Sequence, residues 1–403
     1  MHKPRRVETE FSRRTALALP IAGLSLGLPS CRTSEPGSRE VVPRRTQATP
    51  APAPVSEPAG PLASLTQVLD VFPLGAPPWR TFDPFLFCVH HDDAYPAGNA
   101  ALGPRASLDG RNLGSDFEGR DGWRMYHGDL VPGFPRHPHR GFETVTVTRK
   151  GFIDHSDSLG ATARYGGGDV QWMTAGKGIV HAEMFPLLDA KRPNPTELLQ
   201  IWINLPRTKK FADPYFSMFW NPSIPDLVLA DARGQKTRLR IVAGAFDTAR
   251  APVPPPDSWA ARADTDVAIW TLQMAQGATI TLPRAASGAN RTLYFYRGRS
   301  LEIDGHEVLV NTGVRLRAET PVTLVNGAQP SELLLLQGQP IAEAVVQRGP
   351  FVMNTADEIK QAWVDYRETE FGGWPWPGNE PVHAADKGRF AIHADGRVDR
   401  APG

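Results

Sequence analysis

The sequence predicts an all-β protein built as two barrel-like blocks in series. Three observations carry this. The 39 Pro and 37 Gly in 403 residues suit short strands joined by turns and leave little room for long helices. Stretches such as Glu143–Thr148 alternate in character and are rich in β-branched residues, the pattern of a pleated strand. Gly298, Gly305, Gly313 and Gly327 punctuate the second half at turn spacing, so that a second small barrel or sandwich follows the first. The length suffices for two domains with a sizeable core. With 44 basic and 43 acidic residues the net charge is +1, which gives no reason to expect nucleic acid or an acidic partner.

The N-terminus reads as a targeting segment. Ser12-Arg13-Arg14-Thr15 precedes the apolar run 16–28, and twin arginines before such a run resemble a Tat export signal. Ala16 stands where a Phe is usual. The run is too short for an ordinary transmembrane helix. It ends in Leu28-Pro29-Ser30-Cys31, which looks like a bacterial lipobox with Cys31 as the lipidated residue. Residues 1–31 are therefore assigned to export, to the periplasmic side of a bacterial membrane, with the lipid at Cys31 as the only tie to the membrane. A cleavable signal with an incidental Cys is the alternative. With Cys31 lipidated, Cys88 has no partner for a disulfide. Residues 32–65, rich in Pro and Ala, read as a disordered tether.

Residues 66–237 form the first block. Thr66–Phe72 and Asp83–Phe87 start it, and residues 90–131 read as a long polar covering loop holding His90, His91 and His127. Lys150-Gly151 and Gly166-Gly167-Gly168-Asp169 are turns, and Asp169 is expected to stabilise the second. Leu198–Leu205 is a strongly apolar strand. Residues 238–350 form the second block, and 351–372 carry a helix. There Thr355-Ala356-Asp357-Glu358 is a capping box, and Ile359, Ala362, Trp363 and Tyr366 make one apolar face that should pack on a barrel. Residues 373–403 read as an irregular tail.

Two short pairs carry chemistry. His137-x-His139 and His181-x-Glu183 bracket a run of strands, and residues i and i+2 of a strand share a face. If the two strands face each other, His137, His139, His181 and Glu183 converge on one point and form a divalent-metal site. Four ligands on an octahedral ion leave about two positions open, though this set does not choose among iron, manganese, nickel, copper and zinc. Glu143 lies at an even offset from His139 and can share the ligand face; it is expected to be structural or to stand behind the ligands, orienting a histidine or Arg140, with a ligand role as the alternative. Trp172, Met173 and Phe134 could line an apolar pocket or belong to the core. Gly176-Lys177-Gly178 is not a phosphate loop, because Gln171 and Gly178 stand where Gly and Ser or Thr are required. His306 is isolated, so the second barrel is expected to be metal-free and structural.

Three runs resemble the pirin family: His137–Thr144, Gly168–Met184 and Gly349–Thr355. The resemblance covers about residues 66–372. It implies a bicupin, two stacked cupin (jelly-roll-type) β-barrels with the C-terminal helix packed on them, and a metal in the first barrel only. It places ligands on His137, His139, His181 and Glu183 and favours Fe(II) as the ion. It further implies a dioxygenase acting on an aromatic, quercetin-like flavonol with dioxygen, with Glu183 as ligand and proton acceptor by turns. The alternative is a non-enzymatic iron-binding protein that meets a partner in a redox-dependent way. A monomer is expected, and export sets this chain apart from a nuclear or cytoplasmic regulator.

Overall fold

The computed structural model of the chain describes residues 67–402. The export signal, Cys31 and the tether lie outside the described residues. The first half contributes strands β1 (Val68–Pro73), β2 (Phe85–Tyr95), β3 (Gly133–His139), β4 (Phe142–Lys150), β5 (Phe152–Asp157), β6 (Thr162–Gly166), β7 (Val170–Thr174), β8 (Ile179–Met184), β9 (Asn194–Asn204) and β10 (Tyr215–Phe219). In the first barrel a five-stranded sheet, ordered β10-β7-β4-β9-β2, faces a sheet that contains β6-β5-β8-β3. In the second barrel a seven-stranded sheet includes Lys236–Ala243, Ala268–Met274, Asn290–Arg297, Thr312–Leu316 and Ser331–Gly338. Its partner is the four-stranded sheet of Thr279–Leu282, Ser300–Ile303, His306–Leu309 and Val322–Asn326. The fold is an all-β bicupin.

The two large sheets pack back to back. Val145, Val147, Trp172, Leu199, Ile201 and Ile203 from the first barrel meet Val242, Ile269, Tyr294, Leu334 and Leu336 from the second in one buried cluster. Strands in this position are covered on both faces. That explains why 198–205 and 333–336 read as nearly unbroken apolar runs instead of alternating ones.

The chain ends are exchanged between the barrels, which changes two of the expected boundaries. Strand β1 pairs with Thr312–Leu316 of the second barrel, not with the first. Its anchor is Phe72, whose ring fills the space where any side chain at Gly313 would sit. The tail is not wholly irregular either: Phe390–Ile392 pairs with β6 and Val398–Arg400 pairs with it in turn. Arg164, fully buried, holds this arm. It makes two 2.7 Å bonds to Asp154 and donates to the carbonyls of His383, Ala384 and Lys387. Strands of three residues are too short to leave a readable alternation, so no pattern marks them.

Helix α1 (Ala356–Thr369) follows the expected chemistry. Thr355 accepts from the Glu358 amide, and the Glu358 side chain reaches back to the Thr355 amide. Ile359 and Ala362 are buried, and the helix packs with Phe351, Met353 and Phe371 against Val180 of β8.

Candidate metal centre

The site is built on three neighbouring strands, β3, β8 and β5. In their antiparallel register His137 lies opposite His181, and Asp157 lies opposite His181 from the other side. One row further on, Glu183 lies opposite His155. Directly paired residues share a face. His137, His139, His155, Asp157, His181 and Glu183 therefore all point into the first barrel. The strand pairing, not either pair alone, makes them converge.

The nitrogens of His137, His139 and His181 lie within 4.8 Å of one another. Nε2 of His137 is 3.1 Å from Nε2 of His139. Two imidazole nitrogens that bind one ion at right angles, each at about 2.1 Å, would be about 3 Å apart, so the observed spacing fits a shared metal. Hydrogen bonding agrees. His137 donates from Nδ1 to the Pro135 carbonyl at 2.7 Å, which turns the Nε2 lone pair inward. Both ring nitrogens of His181 and Nδ1 of His139 are buried without a partner. Buried polar atoms are rarely left so unless a metal or a water completes them.

Electrostatics favour the neutral imidazoles that a metal requires. Burial pulls His137 down to about 4, and it takes His139 and His181 well below the usual histidine range, helped by the neighbouring imidazoles. Burial pushes Glu183 up, against the hydrogen bonds from Gln200 and Thr146. The carboxylate of Glu183 lies at the edge of the histidine group, with Oε2 4.0 Å from Nε2 of His181. Gln200 Nε2 donates to it at 2.7 Å and Thr146 Oγ1 at 3.1 Å.

Aromatic rings surround the histidines. Phe142 and Trp202 stand 5.0 and 5.4 Å from the His139 ring, and Phe87 stacks on Trp202 at 4.6 Å. Phe134, half-buried, lies 6.4 Å from His137 and stacks on Tyr126 at 5.1 Å.

Several expectations need correction. Of the roles open to Glu143, the structure gives it the structural one, neither ligand nor support behind the ligands. Gly141, at φ 86°, turns the chain between β3 and β4 and resets the strand parity, so an even offset from His139 no longer means a shared face. Glu143 faces the inter-barrel side, where Thr174 Oγ1 and Ser258 Oγ donate to it at 2.7 and 2.6 Å. Arg140 binds Asp365 and the Lys177 carbonyl instead. Trp172 belongs to the inter-barrel core, whereas Met173 lies inside the first barrel. His90 and His91 sit on β2, not on a loop, which starts only after Tyr95. His91 bonds Tyr126, and His127 bonds the Gly114 carbonyl at 2.7 Å. Asp169 does brace its turn, accepting from the Gly166 amide at 3.0 Å, and it also holds Arg389 of the arm.

Residues missed by sequence reasoning include Thr146, Gln200 and Trp202, which reach the site from the facing sheet, and His155 with Asp157. His155-x-Asp157 shows the same i, i+2 spacing as the two pairs that were singled out, and that was the available signal. A second acidic and histidine group, His90, Asp92 and Glu197, also lies close together. Arg149, Lys150 and Arg297 all pair with Glu197 there, so the carboxylate is already neutralised.

Known proteins agree with this architecture. The family model described as Pirin matches residues 74–203, and the Pirin C-terminal cupin domain matches residues 269–372. A Pseudomonas aeruginosa relative, which bears the provisional name quercetin 2,3-dioxygenase, is 37% identical over 243 residues, covering 60% of this chain and 80% of its own. A pirin-like protein of Caulobacter vibrioides is 33% identical over 302 residues, covering 74% of this chain and 91% of its own. The crystal structure of quercetin 2,3-dioxygenase from Acinetobacter baumannii superposes with a TM-score of 0.57 at 26% identity, covering 76% of this chain and 96% of that one. The alternating strands, the paired barrels and the histidine cluster of the first barrel thus have a common source: the chain belongs to the pirin family.

Proposed function

We propose that this protein is a metal-dependent dioxygenase that acts on an aromatic, flavonol-type substrate, with His137, His139, His181 and Glu183 holding one Fe(II). The observation that carries the reading is the convergence of three imidazoles on one point, with both ring nitrogens of His181 buried and without a protein partner. The activity named for the similar Acinetobacter baumannii structure supports the reaction class. When bound, the ion supplies a Lewis acid for an enol or phenol oxygen and a redox centre for dioxygen.

The chain's own residues then have definite tasks. Phe87, Trp202 and Phe142 offer flat apolar surfaces beside His139, suited to an aromatic ring, and exclude water from it. Gln200 and Thr146 fix the Glu183 carboxylate. Held in this way at the edge of the histidine group, Glu183 would take the proton that a substrate hydroxyl loses. The test is oxygen uptake by the iron-loaded protein with a flavonol. Uptake that disappears in His139→Ala supports the reading, and no uptake by protein with a full metal site contradicts it.

We propose further that the chain is exported and anchored by lipid at Cys31. Incorporation of labelled palmitate, lost in Cys31→Ala, would support the anchor. Unlabelled wild-type protein would refute it.

A further inference from the structure

Buried polar atoms without partners, as at the metal centre, also occur in the second barrel, and among its described residues one charged side chain has every nitrogen in that state. Arg291 is 1% exposed, yet Nε, Nη1 and Nη2 all lack a hydrogen-bond partner. The other buried arginines are served: Arg164 by Asp154 and Arg140 by Asp365. Burial pulls Arg291 down only to about 10, so it keeps its charge at neutral pH. An uncompensated buried charge is strongly disfavoured, and something must complete it.

The surroundings define what that is. Arg291 pairs in register with Gln337, and Gln337 with Ala268. Arg291 shares a strand face with Leu293 and Phe295, which fill the barrel core, so it points inward. Just before the strand lies Ala289, part of a small buried cluster with Ala285 and Ala318. Gln337 donates from Nε2 to Asp266 Oδ2 at 3.0 Å, which fixes its orientation and leaves Oε1 as an unpartnered acceptor. Asp266 attracts the guanidinium but forms no ion pair with it among the described residues, and it would repel a second negative charge. The place has a counterpart. Counting back from the turns at Gly298 and Gly151, Arg291 and Gln337 match Thr144 and Trp202, which pair in the first barrel beside His139.

We propose that the inner end of the second barrel binds a small hydroxy-carboxylate monoanion. Its carboxylate engages the Arg291 guanidinium, whose planar fork suits two oxygens, and its hydroxyl donates to Gln337 Oε1. The site is independent of the reaction proposed for the first barrel. Calorimetric titration with glycolate at constant ionic strength tests it, using the metal-loaded wild type, Arg291→Met, Arg291→Lys and His139→Ala. Saturable binding is expected in the wild type and in His139→Ala. It should weaken at least tenfold in Arg291→Met and less in Arg291→Lys. Acetate, lacking the hydroxyl, and oxalate, a dianion, should both bind more weakly than glycolate. Absence of saturable glycolate binding in the wild type overturns the proposal. So does equal binding by both Arg291 variants, loss of binding in His139→Ala, or a glycolate-soaked crystal showing only an ordered water at Arg291.

Discussion

The two barrels place opposite chemistry on matching strands. On β4 and β9 the inward residues of the first barrel include Thr144, Thr146, Gln200 and Trp202. Where the first barrel has Thr146 and Gln200, the second has Leu293 and Leu335, paired within an apolar core that also holds Phe295 and Leu333; only Thr144 and Trp202 are matched by a polar pair, Arg291 and Gln337. The first barrel has given up part of its apolar filling to seat histidines and the groups that orient them. The second keeps its filling and, through the shared back-to-back cluster, supports the sheet from which Thr146 and Gln200 reach Glu183. Within one fold, the histidine cluster and the larger share of apolar filling thus lie in different copies of the same architecture.

That division can be broken most severely in the second barrel. Phe295 is fully buried, and Phe295→Ala should lower the unfolding free energy by about 3–5 kcal/mol. Denaturant unfolding checks the loss. Metal content per folded molecule should not change, and a proportionate loss of metal would show that the barrels are not so divided.

The seam between the barrels carries a pH-dependent load at Glu143. Burial raises it from 4.5 to about 7. The fold therefore prefers its protonated form. Below the unfolded value there is no penalty, and the penalty grows as pH rises through the folded value, reaching about 3 kcal/mol when the shift is converted at 1.36 kcal/mol per unit. Glu143→Gln should remove this slope, so that its stability advantage over wild type widens between pH 5 and pH 8. Parallel melting profiles across that range would contradict the assignment.

A smaller change should act on the chemistry alone. Gln200→Leu removes the 2.7 Å bond to Glu183. Loss of such an orienting partner is expected to weaken metal binding by about 10–100-fold while the folded chain persists. Competition against a chelator of known affinity measures it.

The sequence showed much of this, for reasons that differ from residue to residue. The histidine pairs were legible because i, i+2 spacing on a strand has a direct geometric meaning. The capping box at Thr355 was legible because it is local. Glu143 was misplaced because parity counting fails across a turn such as Gly141, and a turn angle is not written in the spacing. Gln200 and Thr146 were hidden because their role depends on which sheet faces which, a non-local fact. The exchange of chain ends was hidden for the same reason: β1 and Phe390–Ile392 are short, and their partners lie more than 200 residues away in the chain.

The proposed function requires that the first barrel hold one divalent ion on the converging histidines and Glu183. Metal analysis of purified wild type, His181→Ala and Phe295→Ala, each scored per folded molecule, tests it most directly. One equivalent of divalent metal is expected in wild type and in Phe295→Ala, and none in His181→Ala, whose fold stays intact. Retention of a full equivalent by folded His181→Ala would contradict it.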